Sequence, residues 1–107
     1  MNDDHRTTFV SETREHITDL NNALLALEDD PTDAEAMDAV FRTAHTLKGN
    51  FAAMGFTDAS SLAHAMEDLL DEMRTGEMTV SSEVMDVTFD AVDRIEAAVG
   101  AIEAGED

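Results

Sequence analysis

Apolar residues recur at spacings of three and four along most of this sequence, and this periodicity constrains the fold more than any other feature. Such spacing places residues on one face of an α-helix, which has about 3.6 residues per turn. Three later segments repeat the pattern, and we find no strand pattern and no internal repeat. In the first segment the spacing links Phe9, Thr13, Ile17, Leu20, Leu24 and Leu27.

The predicted helices are of similar length and are joined by short turns. Pro31 separates the first two, because proline cannot continue a helix. Short connections make consecutive helices antiparallel neighbours, so the sequence predicts an all-α domain, an antiparallel up-down four-helix bundle covering residues 1–107. The four helices are predicted at about 7–27, 33–54, 59–74 and 82–103.

Capping signals mark the ends of these helices. Thr32 and Glu35 have the spacing of a capping box, in which Thr32 is the N-cap and Glu35 binds back to it. Gly55 is expected to end the second helix, because glycine favours the position just after a helix. Thr57 or Asp58 is then expected to cap the third helix.

The composition excludes several classes of function. The chain has 6 basic and 25 acidic residues, a net charge of −19, so we expect it to bind neither nucleic acid nor an anionic membrane. It contains no cysteine, which excludes a disulfide scaffold and cysteine-based metal or redox sites. It shows no apolar run long enough to span a bilayer and no signal peptide, so we expect a cytoplasmic protein.

The charge also predicts an adaptation to salt. Molar salt screens self-repulsion over a few ångströms, and an acidic surface is typical of halophilic archaea. Lys48 is the only lysine of the chain. A single lysine in a chain that otherwise avoids this residue indicates a specific role.

The segment around His45 carries the candidate chemistry. Lys48 follows at i+3 and Gly49 at i+4, so both lie on the helix face of His45. Glycine inside a helix costs about 1 kcal/mol relative to alanine, and close approach of a partner to His45 would explain it. Phe51 and Met54 continue the apolar pattern, so Gly49 is predicted to lie within the helix. An exposed histidine beside a cation suits phosphoryl transfer, which depends on positioning and charge compensation.

Two residues of the third helix complete the candidate site. His45 lies ten residues before Gly55, whereas His64 and Glu67 lie nine and twelve residues after it. In an antiparallel pair of helices these residues reach similar heights. Glu67 could then accept a hydrogen bond from one ring nitrogen of His45 and leave the other as a nucleophile.

Other interpretations of these residues, and the limits of the motif itself, must be weighed beside this one. His-x-x-Lys-Gly alone is a weak motif, and His45 could be an ordinary solvated histidine. A di-metal bundle needs two Glu-x-x-His pairs, whereas this chain has only the reversed pair of His64 and Glu67, so no metal is expected. No nucleotide-binding motif is present, so no cofactor is expected in the domain itself.

The sequence closely resembles the N-terminal histidine-phosphotransfer (Hpt) domains of the chemotaxis kinase CheA. The resemblance extends from about Phe9 to Val99. Generic phosphotransfer domains share His-x-x-Lys-Gly, whereas the later segments look specific to CheA. It rests on Phe41-Arg42-Thr43-Ala44-His45-Thr46-Leu47-Lys48-Gly49, Met54-Gly55-Phe56, Leu62-Ala63-His64-Ala65-Met66-Glu67-Asp68-Leu69-Leu70-Asp71 and Arg74-Thr75-Gly76.

The resemblance implies a function in two-component signalling. The histidine of this family accepts a phosphoryl group from the ATP-bound catalytic domain of the kinase and passes it to an aspartate of a CheY-like response regulator. It implies that His45 is phosphorylated, that Glu67 orients its ring and that Lys48 and His64 line the site, while Gly49 keeps it open. ATP and Mg²⁺ would be held by partner domains, near receptor arrays.

Some questions stay open at the level of the sequence. Asn50 stands where the family commonly has a second glycine, and we expect altered packing or partner contact there. Whether a fifth helix or further domains follow residue 107 stays open. The alternatives are a stand-alone protein of another phosphorelay and a helical interaction module that is not phosphorylated.

Overall fold

The computed structural model describes residues 3–105 and contains four α-helices in that range, which confirms the predicted all-α bundle. Helices α2 and α4 each lie beside both α1 and α3. Two hydrogen bonds between α1 and α4, Arg14 to Glu103 and Asn21 to Glu96, run in opposite chain order, as antiparallel helices require. The helices are α1 (Asp3–Asp29), α2 (Ala34–Ala53), α3 (Thr57–Arg74) and α4 (Ser82–Glu103).

The first helix is longer than predicted. It begins at Asp3, whereas the apolar spacing predicted a start near Thr7, and it ends at Asp29. A polar first turn carries no apolar pattern, so the spacing could not locate this start. The outermost residues of the predicted 1–107 domain, 1–2 and 106–107, lie outside the described residues.

The N-cap of α2 was predicted one residue too early. Asp33 is the N-cap, and its Oδ1 accepts a hydrogen bond from the backbone N–H of Ala36 at 3.1 Å. Thr32 instead donates its hydroxyl to Asp30 Oδ1 at 2.6 Å. The predicted capping box of Thr32 and Glu35 is therefore wrong, because Asp30 engages the Thr32 side chain in the preceding turn.

The turn between α2 and α3 ends the site-bearing helix as predicted at Gly55. Gly55 has a φ of +81°, the left-handed conformation that favours glycine. Its N–H donates to Ala52 O at 3.1 Å, and the N–H of Phe56 donates to Phe51 O at 2.9 Å. This pair of bonds is a Schellman motif, which satisfies the last carbonyl groups of α2.

The start of α3 differs from the prediction. The helix begins at Thr57 with Phe56 as its N-cap, and no side chain caps it. Phe56 is buried, so the chain passes from the Schellman turn through the core directly into α3. Neither Thr57 nor Asp58 acts as the cap, and Asp58 lies in the first turn of the helix.

The core extends along the whole bundle and fixes the face of α2 that carries the site. Ala44, Leu47 and Phe51 are buried on the inner face of α2, and Gly49 lies within the helix as predicted. Met54 was expected on this face but is 36% exposed, because it is the C-cap residue at the end of the bundle. None of the described helices combines the length and apolarity needed to cross a membrane.

Two consecutive leucines of α1 provide a test of this packing. Leu24 is fully buried, whereas Leu25 is 54% exposed. We expect Leu24→Ala to lower the free energy of unfolding by about 2–5 kcal/mol, because it removes buried methyl groups and leaves a cavity. Leu25→Ala should change it by less than about 0.5 kcal/mol. Urea unfolding followed by circular dichroism in molar KCl would measure both, and equal losses would contradict the packing.

Candidate functional site

The α2–α3 interface brings together three of the predicted site residues. Glu67 on α3 binds two side chains of α2, one with each carboxylate oxygen. Its Oε2 is hydrogen-bonded to His45 Nδ1, and its Oε1 accepts a hydrogen bond from Lys48 Nζ at 2.8 Å. The Glu67 side chain is only 11% exposed, so the two bonds satisfy a nearly buried carboxylate.

The packing of the two helices explains why these side chains meet. Ala44 on α2 and Ala63 on α3 are fully buried. His45 follows Ala44 directly and Glu67 lies four residues after Ala63, so both side chains lie at the edge of a buried face. Their positions follow the apolar pattern of each helix, which places the neighbouring His45 and Glu67 at this edge.

The pKa of Glu67 reflects competition between burial and charge. Burial raises the pKa, because it disfavours the charged form, but hydrogen bonds from Lys48 and His45 and the attraction of their charges lower it more. The net pKa lies below the ordinary value of a glutamate. Glu67 is therefore ionised at neutral pH.

The ionised carboxylate determines which nitrogen of His45 is available. In a neutral imidazole, Nδ1 must carry the proton in order to donate to Glu67, which leaves the lone pair on Nε2. The His45 side chain is 64% exposed, and within the described part of the chain Nε2 has no hydrogen-bond partner. His45 therefore presents an exposed nucleophilic nitrogen in a fixed orientation.

His64 borders this arrangement without binding His45. Its side chain is 59% exposed, and its Nε2 lies 3.6 Å from Asp68 Oδ1 one turn along α3. One potential ligand atom from each of His64, Glu67 and Asp68 lies within 4.8 Å of the others. These three residues could contact a cation, but the Lys48 ammonium on Glu67 opposes that charge.

Two further features of α2 lie beside Lys48. Gly49 is exposed, and a Cβ added there would meet nothing within 4 Å, so packing inside the bundle does not require glycine. The hydroxyl of Ser60 on α3 donates to the backbone carbonyl of Lys48 at 3.2 Å. The sequence analysis missed Ser60, because a serine near a helix N-terminus carries no pattern that names its partner.

Comparison with known proteins identifies the family. The Hpt domain family matches this chain over residues 4–105. A solved CheA phosphotransferase domain from Thermotoga maritima has 38% identity and a TM-score of 0.89, with 95% of this chain and 97% of that chain covered. The chain is an Hpt domain of the CheA family. The resemblance stated from the sequence is thereby confirmed.

Two more relatives of this Hpt domain bear on its role. The chemotaxis protein CheA of Halobacterium salinarum is 63% identical over 102 residues, which are 95% of this chain but 15% of that protein. The phosphorylated P1 domain of CheA3 from R. sphaeroides, solved in complex with CheY6, has 25% identity and a TM-score of 0.87, with 97% of this chain and 81% of that chain covered. The Halobacterium relative fits the halophilic interpretation of the charge.

The lowered pKa of Glu67 predicts how its contribution to stability depends on pH. The native state binds the Glu67 proton more weakly than the unfolded state, so the contribution is present above the ordinary pKa of a glutamate, about 4.5, and is lost as pH falls through the lower native value. We expect Glu67→Gln to cost about 1.5–3 kcal/mol at neutral pH, the usual cost of losing hydrogen bonds to a charged group.

The control is Glu72→Gln, which changes an exposed glutamate of the same helix. Urea unfolding at several pH values would compare each variant with the parent chain. The difference for Glu67→Gln should shrink as the solution is acidified below about pH 4, whereas Glu72→Gln should stay within about 0.5 kcal/mol throughout. A difference for Glu67→Gln that does not depend on pH would contradict the lowered pKa.

Proposed function

We propose that His45 is the phosphorylated residue of this Hpt domain and that the phosphoryl group is carried on Nε2. The observation that carries the proposal is the bond between His45 Nδ1 and the ionised Glu67. It commits one ring nitrogen to the protein and leaves the other exposed to a partner. A ring with neither nitrogen held would be a weaker and less oriented nucleophile.

The two transfer steps follow from this geometry. In the first, the Nε2 lone pair attacks the γ-phosphorus of ATP, the bond from that phosphorus to the bridging oxygen breaks, and ADP leaves. The ring would become cationic, and the Glu67 carboxylate stabilises that charge or takes the Nδ1 proton. In the second, a carboxylate oxygen of an aspartate attacks the phosphorus, and the electrons of the P–N bond return to Nε2. Throughout, Lys48 offsets negative charge at the site.

The partners follow from the same steps. The domain has no nucleotide-binding motif, so ATP and Mg²⁺ belong to the catalytic domain of a CheA-type kinase, and the acceptor is a CheY-like response regulator. The complex of the R. sphaeroides P1 domain with CheY6 supports the second partner. Such a kinase would place the domain in the cytoplasm near receptor arrays.

A role within a CheA kinase is favoured over a stand-alone phosphorelay protein. The matching region occupies 15% of the CheA protein of Halobacterium salinarum, so in that relative the domain is part of a much longer chain. In such a kinase, other domains would hold the catalytic centre and its nucleotide. An interaction module without phosphorylation would not need an exposed ring nitrogen held in one tautomer.

A labelling experiment tests the proposal. The domain would be incubated in molar KCl with a CheA catalytic core and ATP labelled at the γ-phosphate. We expect acid-labile, base-stable label on the parent chain and on His16→Gln, which removes a histidine of α1, and none on His45→Gln. Circular dichroism would establish that each variant is folded. Label retained on folded His45→Gln, or absent from the folded parent, would contradict the proposal.

Gly49 gives a second test, in which stability and transfer change in opposite directions. Gly49→Ala should raise the free energy of unfolding by about 0.5–1 kcal/mol, because alanine favours a helix and the added methyl group meets nothing. It should nevertheless slow transfer to the regulator several-fold, because the methyl group lies on the face that the regulator approaches.

Gly100→Ala is the matched control, since Gly100 lies within α4 and an added Cβ there also meets nothing within 4 Å. We expect it to stabilise the domain similarly and to leave transfer unchanged. Stopped-flow or quenched-flow measurement of label transfer would compare the two. Equal transfer rates for both variants would show that Gly49 does not keep the site open.

A further inference from the structure

A second cation flanks His45 on α2. Arg42 lies three residues before His45 and Lys48 lies three residues after it, so the two cations neighbour His45 on opposite sides of it. Helical side chains lean toward the N-terminus of their helix, and Arg42 lies on that side of His45. With Nδ1 bound to Glu67 on α3, Nε2 is the ring nitrogen left to interact with the neighbouring side chain of Arg42.

Arg42 differs from other arginines of the chain in its partners. It is exposed, and its Nε donates to the backbone carbonyl of Asp38 at 3.3 Å, but no carboxylate of the described residues lies within ion-pair distance of it. This is unexpected in a chain with 25 acidic residues. Three other arginines form ion pairs within 3.0 Å: Arg14 with Glu103, Arg74 with Asp71 and Arg94 with Asp90.

Phosphorylation of His45 would add negative charge that no cation at the site yet neutralises. A phosphoryl group on Nε2 adds a charge of about −1.5 to −2 to a chain that already carries −19. Lys48 is engaged by Glu67 at 2.8 Å, and its side chain is only 27% exposed. The guanidinium of Arg42 has terminal N–H groups in a fork that matches two phosphoryl oxygens.

We propose that Arg42 is a phosphoryl-binding residue that pairs with the phosphoryl group carried by His45. This inference rests on the proposed phosphorylation of His45 and goes beyond it, because it assigns the cation that stabilises the loaded state. The division of roles is then clear. Lys48 compensates Glu67 throughout, and Arg42 compensates the phosphoryl dianion once it has formed on His45.

The test uses a small phosphoryl donor, so that it does not depend on a kinase. With phosphoramidate, Nε2 of His45 attacks phosphorus, the P–N bond of the donor breaks, and the amide leaves as ammonia after taking up a proton. Phosphorus NMR in molar KCl then follows the second ionisation of the phosphohistidine during a pH titration. The signal that is absent from His45→Gln identifies the phosphoryl group on His45.

The variants are Arg42→Gln, Arg42→Lys and the control Arg94→Gln, which removes an exposed arginine of α4. Pairing with a guanidinium favours the dianion, so we expect Arg42→Gln to raise the apparent pKa of the phosphoryl group by about half a unit, a threefold change in the ratio of its two forms. Arg42→Lys should lie between the parent and Arg42→Gln, and Arg94→Gln should match the parent.

The outcomes separate the two proposals. An unchanged titration in Arg42→Gln would overturn the role of Arg42, and so would an equal change in Arg94→Gln, because the effect would then be general electrostatics. Failure of phosphoramidate to load His45 would also overturn it. If phosphoramidate loads His45 but the kinase does not label it, the proposed relay function is wrong. The role of Arg42 is then still decided by the titration.

Discussion

The rest of the site depends on the two hydrogen bonds that the Glu67 carboxylate makes. A nearly buried charge is costly unless it is paired, and each of its oxygens has a partner, His45 Nδ1 and Lys48 Nζ. Both partners come from α2, so the charge can be satisfied only when α2 and α3 have the observed register. The apolar core brings the helices together, and the ionised carboxylate then converts their packing into a defined orientation of one imidazole ring.

The acidic composition of the chain also affects the electrostatics of this site. The domain has a net charge of −19 and few cations, and its single lysine forms an ion pair with Glu67. Salt screens the repulsion among exposed carboxylates, but it screens a pair that is largely buried much less. The site can therefore keep its geometry in a medium in which surface ion pairs contribute little.

The sequence predicted the number of helices and the proximity of Glu67 to His45, because both follow from periodicity and counting. Apolar spacing defined which face of α2 is buried, and counting residues on either side of Gly55 placed Glu67 opposite His45. Helix starts were predicted less well. Several polar residues compete for the same cap, and the competition is settled by local geometry, as where Asp30 engages Thr32 and leaves Asp33 as the cap.

The finer details of the site needed side-chain positions. Spacing indicated that Glu67 could reach His45, but it could not show that Nδ1 is the nitrogen held or that Lys48 shares the same carboxylate. Counting and the resemblance both assigned His64 to the site, and the structure places it beside Glu67 with its ring near Asp68. The sequence likewise could not show that the Arg42 guanidinium has no carboxylate partner among the described residues, because that requires the positions of the carboxylates around each arginine.

The central claim is that Glu67 holds His45 as the tautomer with the proton on Nδ1. Long-range proton–nitrogen correlation spectra of the imidazole rings, recorded in mildly alkaline molar KCl, measure this directly. We predict that His45 shows a protonated Nδ1 and an unprotonated Nε2, and that Glu67→Gln weakens this preference. A His45 ring with its proton mainly on Nε2 would contradict the account, because the exposed nitrogen would then have no lone pair to offer.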